Sequence, residues 1–157
     1  MRRSISDNIQ TTSALFIISI ILGLFQPCNA QDVNDSLFNE LRAASGTERV
    51  DILNQISKSY EHTHPDSSFQ FATQAYTRAV ELDYTEGQAF ASFNKGNYYT
   101  RVNNYRKAIE EYDLTIALYR EVGDKDGLLK AINNKGNMYR LRGDYDNACL
   151  IFLNPCD

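Results

Sequence analysis

The sequence predicts an all-α protein in which antiparallel helix pairs stack as an α-solenoid of about two and a half to three repeats. Three observations support this fold class. The segment Asn-Lys-Gly-Asn-Tyr-Tyr at residues 94–99 returns at 134–139 with one substitution. Apolar residues recur at helical spacing from residue 47 to 146, and no segment alternates convincingly as a strand. Three prolines in 157 residues leave long helices uninterrupted. A fixed 40-residue period indicates units whose apolar faces are covered by their neighbours.

The first 30 residues are expected to form a cleaved signal peptide. Arg2 and Arg3 give a positive start, residues 14–25 form an apolar run, and small residues precede Gln31. The run is short for a membrane span, which needs about 20 apolar residues, and an uncleaved anchor is the alternative. The mature chain is therefore expected to be exported, periplasmic or secreted, and free of the membrane after cleavage.

The rest of the chain is expected to be one repeat domain behind a capping helix. Residues 31–49 form the N-terminal capping helix, and the repeat domain covers residues 50–157. Its repeats are placed at residues 50–88, 89–128 and 129–157. The Gly and Asp residues between 121 and 127 are typical of one helix ending and the next beginning. The last repeat is expected to be incomplete, because its second helix is about five residues shorter than that of the second repeat.

Two copies of a Gly-x-x-Tyr pair followed by an Ala-x-x-x-aromatic pair lie inside the period. They comprise Gly96, Tyr99, Ala108, Tyr112 and Gly136, Tyr139, Ala148, Phe152. Gly and Ala let paired helices approach closely, and the aromatic rings fill the space between them. These motifs resemble the tetratricopeptide repeat (TPR) signature. The resemblance covers most of the chain from about residue 50 onward.

The 40-residue period is longer than the usual period of about 34 residues in this family. Long-period repeats of this kind are similar to those in extracytoplasmic sensor regions of bacterial signalling proteins. That resemblance implies a membrane span followed by an output domain, such as a histidine kinase or cyclase. No output domain is visible in this sequence.

In the TPR family the first helix of each repeat faces a groove, so the resemblance implies a set of ligand-binding residues. These are Phe90, Asn94, Asn97 and Arg101 in the second repeat, and Lys130, Asn134, Asn137 and Arg140 in the third. An Asn amide can donate to and accept from a peptide backbone at once, and Lys or Arg can contact a carboxylate. The alternative for Asn94 and Asn134 is structural, namely hydrogen bonds to neighbouring helices.

A metal-dependent or hydrolytic enzyme is the alternative function. It would use His62 and His64, the two histidines of the chain, which lie beside Glu61 and Asp66. A metal site needs a third or fourth ligand of fixed geometry, and the sequence has no nucleophile motif or Gly-rich phosphate loop. We therefore favour a polar turn between helices before Pro65, and expect no catalysis, no metal and no cofactor.

The net charge of −4 becomes −5 once the signal residues are removed, which argues against binding nucleic acid. Cys149 and Cys156 would lie about 10 Å apart along a helix, too far for a disulfide unless Pro155 bends the chain. Free or intermolecular thiols are the favoured state of these cysteines.

The expected function is non-catalytic binding of a protein or peptide. The chain would be the sensor or scaffold part of a bacterial signalling protein, present here without its output domain. Residues 150–153, Leu-Ile-Phe-Leu, would leave an apolar strip partly open at the C-terminal helix. This strip suggests truncation of a longer protein, and self-association through the C-terminal helix is the alternative.

Overall fold

A computed structural model describes residues 30–153, and these are helical apart from short connections. The helices are α1 (Ala30–Ala43), α2 (Gly46–Tyr60), α3 (Pro65–Glu81), α4 (Thr85–Arg101), α5 (Tyr105–Val122), α6 (Lys125–Leu141) and α7 (Tyr145–Leu153). The all-α prediction is confirmed over this range, which contains no strand. The chain divides into two units, residues 1–33 and 34–157, and the packing described here belongs to the second. The predicted signal segment at 1–29 and Cys156 lie outside the described residues.

Neighbouring helices pack against each other in chain order from α2 to α7, and α2 also contacts α4. Small residues make this close packing possible, because several alanines have no solvent-accessible surface. They are Ala72, Ala75, Ala79, Ala89, Ala91, Ala108 and Ala131. At the N-terminal end, Leu37 of α1 packs on Ile52 and Ile56 of α2, and the Phe38 ring lies 5.8 Å from that of Phe71.

The helix connections follow one backbone design at a spacing of 20 residues. Asp83, Asn103, Gly123 and Gly143 all have positive φ, between 52° and 77°. After each of them the next residue donates its N–H to the carbonyl five positions earlier, as in the bond from Asp124 N to Tyr119 O at 3.1 Å. This left-handed cap satisfies carbonyls that the ending helix leaves free. The connections between residues 81 and 146 therefore repeat the same turn.

The two predicted Gly–aromatic pairs are present in the structure. A Cβ added at Gly96 of α4 would lie 2.6 Å from Cε1 of the Tyr112 ring, and one added at Gly136 of α6 would lie 2.6 Å from Cζ of Phe152. Each ring therefore packs directly on the backbone of the preceding helix. The prediction that Gly permits close approach within each pair of helices is confirmed.

Helix starts also agree with the sequence signals. Asp124 accepts hydrogen bonds from the backbone N–H groups of Asp126 and Gly127, so it caps α6 as the Gly-Asp pattern predicted. Pro65 is the first residue of α3, and the histidines lie in the preceding four-residue connection. One start differs: α2 begins at Gly46, four residues before the predicted start of the first repeat at residue 50.

Candidate functional site

Three cavities lie side by side along one face of α4. The first, of about 270 Å³, lies between α2 and the start of α4. The second, also about 270 Å³, extends to the end of α5 and the start of α6. The third, of about 300 Å³, lies between the second halves of α4 and α6. Glu86 and Phe90 line both the first and second cavities, and Glu61 and Asn97 line both the second and third. We call this row of cavities the α4 groove.

Seven of the eight ligand-binding residues named from the sequence line the α4 groove. Phe90, Asn94, Asn97 and Lys130 line the second cavity, and Asn97, Arg101, Asn134 and Asn137 line the third. The eighth, Arg140, is an exposed residue of α6 that lines none of the three cavities. The positions taken from the family resemblance therefore lie together on one face, with Arg140 apart from them.

Two of these asparagines are also part of the hydrogen-bonding framework. Asn94 is 3% exposed, and its Nδ2 donates to the backbone carbonyl of Asn54 at 3.2 Å. The Asn134 amide donates to Asn97 Oδ1 at 3.3 Å and to Tyr112 Oη at 3.4 Å. Tyr112 Oη in turn donates to Asn97 Oδ1 at 2.8 Å. Asn94 and Asn134 thus connect helices to each other as well as lining cavities.

Several lining residues of the second cavity were not named from the sequence. Glu86 lies in the first turn of α4, Tyr119 near the end of α5, and Asp124, Asp126 and Gly127 at the start of α6. The Tyr119 ring packs over Gly127, where an added Cβ would lie 2.7 Å from its Cε1 and Cζ atoms. The available signal was the matched glycines at 87 and 127, since a Gly in the first turn of a helix permits an aromatic ring to lie on it.

The lining of the second cavity is acidic. Four carboxylates, those of Glu61, Glu86, Asp124 and Asp126, face two ammonium groups, which gives a net charge of −2. The ammonium groups belong to two exposed lysines, Lys58 and Lys130. None of these six side chains forms a salt bridge within the described part of the chain. This charge balance differs from the carboxylate-contacting groove expected from Lys130 and the two arginines.

Two tyrosines in the groove are held in the neutral form. Burial and the hydrogen bond that Tyr84 Oη donates to Asp51 at 3.0 Å raise the pKa of Tyr84 to about 12. Burial, followed by the negative charges of Asp124 and Glu86, raises the pKa of Tyr119 to about 12. Both hydroxyls therefore remain available as hydrogen-bond donors and acceptors at neutral pH.

The histidines do not form part of a metal cluster in the region that the structure describes. His62 Nδ1 contacts the guanidinium group of Arg101 across to α4, and the His64 ring meets the Tyr60 ring at 5.4 Å. Over residues 30–153 there is no group of three or more His, Cys, Asp or Glu placed to hold a metal ion. Cys149 is exposed and unpaired.

No protein-family model matches the sequence, and a search of curated proteins gave no match. Among the helices described, none has the length and apolar character needed to span a membrane.

Proposed function

We propose that the chain is a non-catalytic, exported binding module of TPR-like architecture, which holds a protein or peptide segment in the α4 groove. The observation that carries this proposal is the row of three cavities that share Glu86, Phe90, Glu61 and Asn97. Adjoining cavities along a helix face suit successive side chains of an extended ligand. In the fuller form of the proposal, the module is the sensor or scaffold part of a bacterial signalling protein that carries its output domain elsewhere.

The TPR-like arrangement draws support from the recurrence of contacts at the sequence period. The Gly96–Tyr112 and Gly136–Phe152 contacts are 40 residues apart, as are the left-handed residues Asp83 and Gly123. The contact between α2 and α4 joins the first helices of successive pairs, as stacked repeats require. These contacts are the geometric counterpart of the repeated segment in the sequence.

The proposal is tested by selecting random dodecapeptides displayed on phage against the purified full chain. Asn137 lines the third cavity and makes no side-chain hydrogen bond within the described residues, so Asn137→Trp should fill that cavity without removing a fold contact. Gln74→Trp is the matched control, because Gln74 is exposed on α3 and lines none of the three cavities. Selected peptides should bind wild type and Gln74→Trp alike, and bind Asn137→Trp at least tenfold more weakly.

Failure of the library to yield any peptide retained above background would oppose the binding-module proposal. So would peptides that bind all three proteins equally, since these would bind outside the groove. Circular dichroism of the two Trp variants checks that each retains its helical content.

A second interaction is favoured by the exposed apolar side chains of the C-terminal helix. Leu150 is 58% exposed, Phe152 is 48% exposed, and Leu141 at the end of α6 is also exposed. We propose self-association through this surface as a second property of the chain. Sedimentation velocity at increasing protein concentration should show dimers that Leu150→Glu removes, and a monomer at all concentrations would contradict the idea.

A further inference from the structure

The second cavity of the groove combines apolar walls with unpaired acceptors at its edge. Phe90 and Phe93, both half-buried on α4, supply the apolar walls. Glu86 and Asp126 occupy equivalent positions 40 residues apart, each in the first turn of a helix that borders the cavity. Neither carboxylate has a hydrogen bond or ion pair among the described residues. Asp124 differs, because one of its oxygens caps α6.

An independent observation comes from Tyr119 on the opposite wall. This residue is only 5% exposed, yet its hydroxyl has no hydrogen-bond partner within the part of the chain that the structure describes. Tyr84 packs on Gly87 in the same way that Tyr119 packs on Gly127, and its hydroxyl is satisfied by Asp51 at 3.0 Å. A buried tyrosine hydroxyl usually finds a partner. The free Tyr119 hydroxyl at the cavity wall therefore points to a ligand group that completes its hydrogen bonding.

We propose that the second cavity binds an Arg or Lys side chain of an extended peptide. The alkyl stem lies against Phe90 and Phe93, and the cationic head lies among Glu86, Asp126 and the Tyr119 hydroxyl. This proposal rests on the proposed function and specifies the chemistry of its ligand.

Charge and shape both favour a basic side chain over an acidic one. The lining carries a net charge of −2, so a carboxylate entering the cavity meets repulsion that a guanidinium or ammonium does not. A long aliphatic stem with a charged end also matches a cavity with apolar walls and a polar edge. Lys58 already places its Nζ 6.0 Å from the centre of the Phe90 ring, and a ligand cation can take a similar position.

The test uses two defined probes on the full chain, acetyl-Ala-Arg-Ala-amide and the same peptide with citrulline in place of Arg. Citrulline keeps the shape and most of the hydrogen-bonding groups but removes the charge. Binding is followed by ¹H–¹⁵N NMR titration, with the amides of Gly87 and Gly127 reporting on the cavity. We expect the Arg probe to shift these signals and to bind at least about fivefold more tightly than the citrulline probe.

The double variant Glu86→Gln/Asp126→Asn should abolish this preference for Arg over citrulline. Asp146→Asn is the matched control, because Asp146 is an exposed acid in the first turn of α7 that lines none of the three cavities. That control should retain the full preference. Equal binding of both probes, an unchanged preference in the double variant, or unmoved Gly87 and Gly127 signals would each overturn the inference.

Failure of this inference is distinguishable from failure of the proposed function. Library peptides that lack basic residues, but whose binding is blocked by Asn137→Trp, would leave the peptide-binding function in place and reject the basic ligand. A library without any groove-binding peptide would reject both.

Discussion

The Asn94 side chain donates from Nδ2 to the backbone carbonyl of Asn54, the residue exactly one 40-residue period earlier, at 3.2 Å. Both residues are buried, and they belong to α4 and α2, which are not consecutive helices. Asn54 in turn donates to the Gly87 carbonyl in the first turn of α4 at 3.1 Å. The two amides therefore form a reciprocal connection between helices that the intervening α3 separates in the sequence.

Replacing Asn94 by Ala should lower the free energy of unfolding by about 1–3 kcal/mol, because the Asn54 carbonyl loses a buried donor. Asn133→Ala is the matched control, since Asn133 is an exposed Asn on the neighbouring helix α6. It should change stability by no more than about 0.5 kcal/mol. Urea unfolding of the two variants measures the difference, and equal losses would mean that the Asn94–Asn54 bond adds no net stability.

The glycines beneath the aromatic rings should respond unequally to the same substitution. A Cβ at Gly96 or at Gly136 would come within 2.6 Å of a ring, but Tyr112 is 1% exposed and Phe152 is 48% exposed. The buried Tyr112 ring cannot move away, so Gly96→Ala should destabilise the fold by about 1–3 kcal/mol. Phe152 can shift toward solvent, so Gly136→Ala should cost less than about 1 kcal/mol, with the higher helix propensity of Ala offsetting part of it.

Thermal and urea unfolding of these two variants test the comparison. A loss for Gly136→Ala as large as that for Gly96→Ala would show that the Phe152 contact is as rigid as the Tyr112 contact.

The left-handed turn at Asp83 offers a stabilising substitution. Its φ is 52°, a conformation that Gly adopts without strain and that other residues adopt at a cost. Asp83→Gly should raise the free energy of unfolding by about 0.5–1 kcal/mol. Asp83→Ala is the control, because it removes the same carboxylate but keeps Cβ, and it should give no gain. Chemical unfolding that ranks Ala above Gly at this position would contradict the strain argument.

Much of the fold could be predicted because its turns and close contacts are made by residues whose chemistry is local. Gly123 and Asp124 end α5 and begin α6 as their types predict, since one adopts positive φ and the other caps with its carboxylate. The Gly96–Tyr112 contact follows from the only residue type that permits such an approach. These signals depend on neighbouring positions, so a single sequence contains them.

The charge of the candidate site could not be predicted in the same way. Glu86 and Asp126 lie in first turns, where acidic residues are common because they favour the positive end of the helix dipole. Nothing local distinguishes an acid that caps a helix from one that faces a ligand. Tyr119 comes from the second helix of its pair, and it reaches the groove only because Gly127 leaves room for its ring. Both facts depend on how α4, α5 and α6 pack.

The Asp51 carboxylate should be one measurable cause of the raised pKa of Tyr84. Burial is the larger cause, and the hydrogen bond and negative charge of Asp51 add to it, which brings the pKa to about 12. Asp51→Asn should therefore lower the pKa of Tyr84 only part of the way toward 10 and leave Tyr119 near 12. Titration of the tyrosine ¹³Cζ signals, assigned with Tyr84→Phe and Tyr119→Phe, measures both values. An unchanged Tyr84 pKa in Asp51→Asn would leave burial as the whole cause.

The raised pKa values of Tyr84 and Tyr119 also predict how stability depends on pH. Both pKa values are about 12 in the folded protein and 10.0 in the unfolded chain. Between these values the folded state binds more protons, so the free energy of unfolding should fall as pH rises from 10 to 12 and should be insensitive to these groups below 10. Tyr119→Phe should reduce the slope of that fall while changing stability at pH 7 by less than about 0.5 kcal/mol, because its hydroxyl makes no hydrogen bond within the described residues. Tyr84→Phe should reduce the slope as well, but should lose about 1 kcal/mol at pH 7 with the bond to Asp51. Urea unfolding of the three proteins at pH 7, 9.5, 10.5 and 11.5 separates the effects. A slope in Tyr119→Phe equal to that of wild type would show that Tyr119 ionises with its unfolded pKa and is not shielded by the cavity wall.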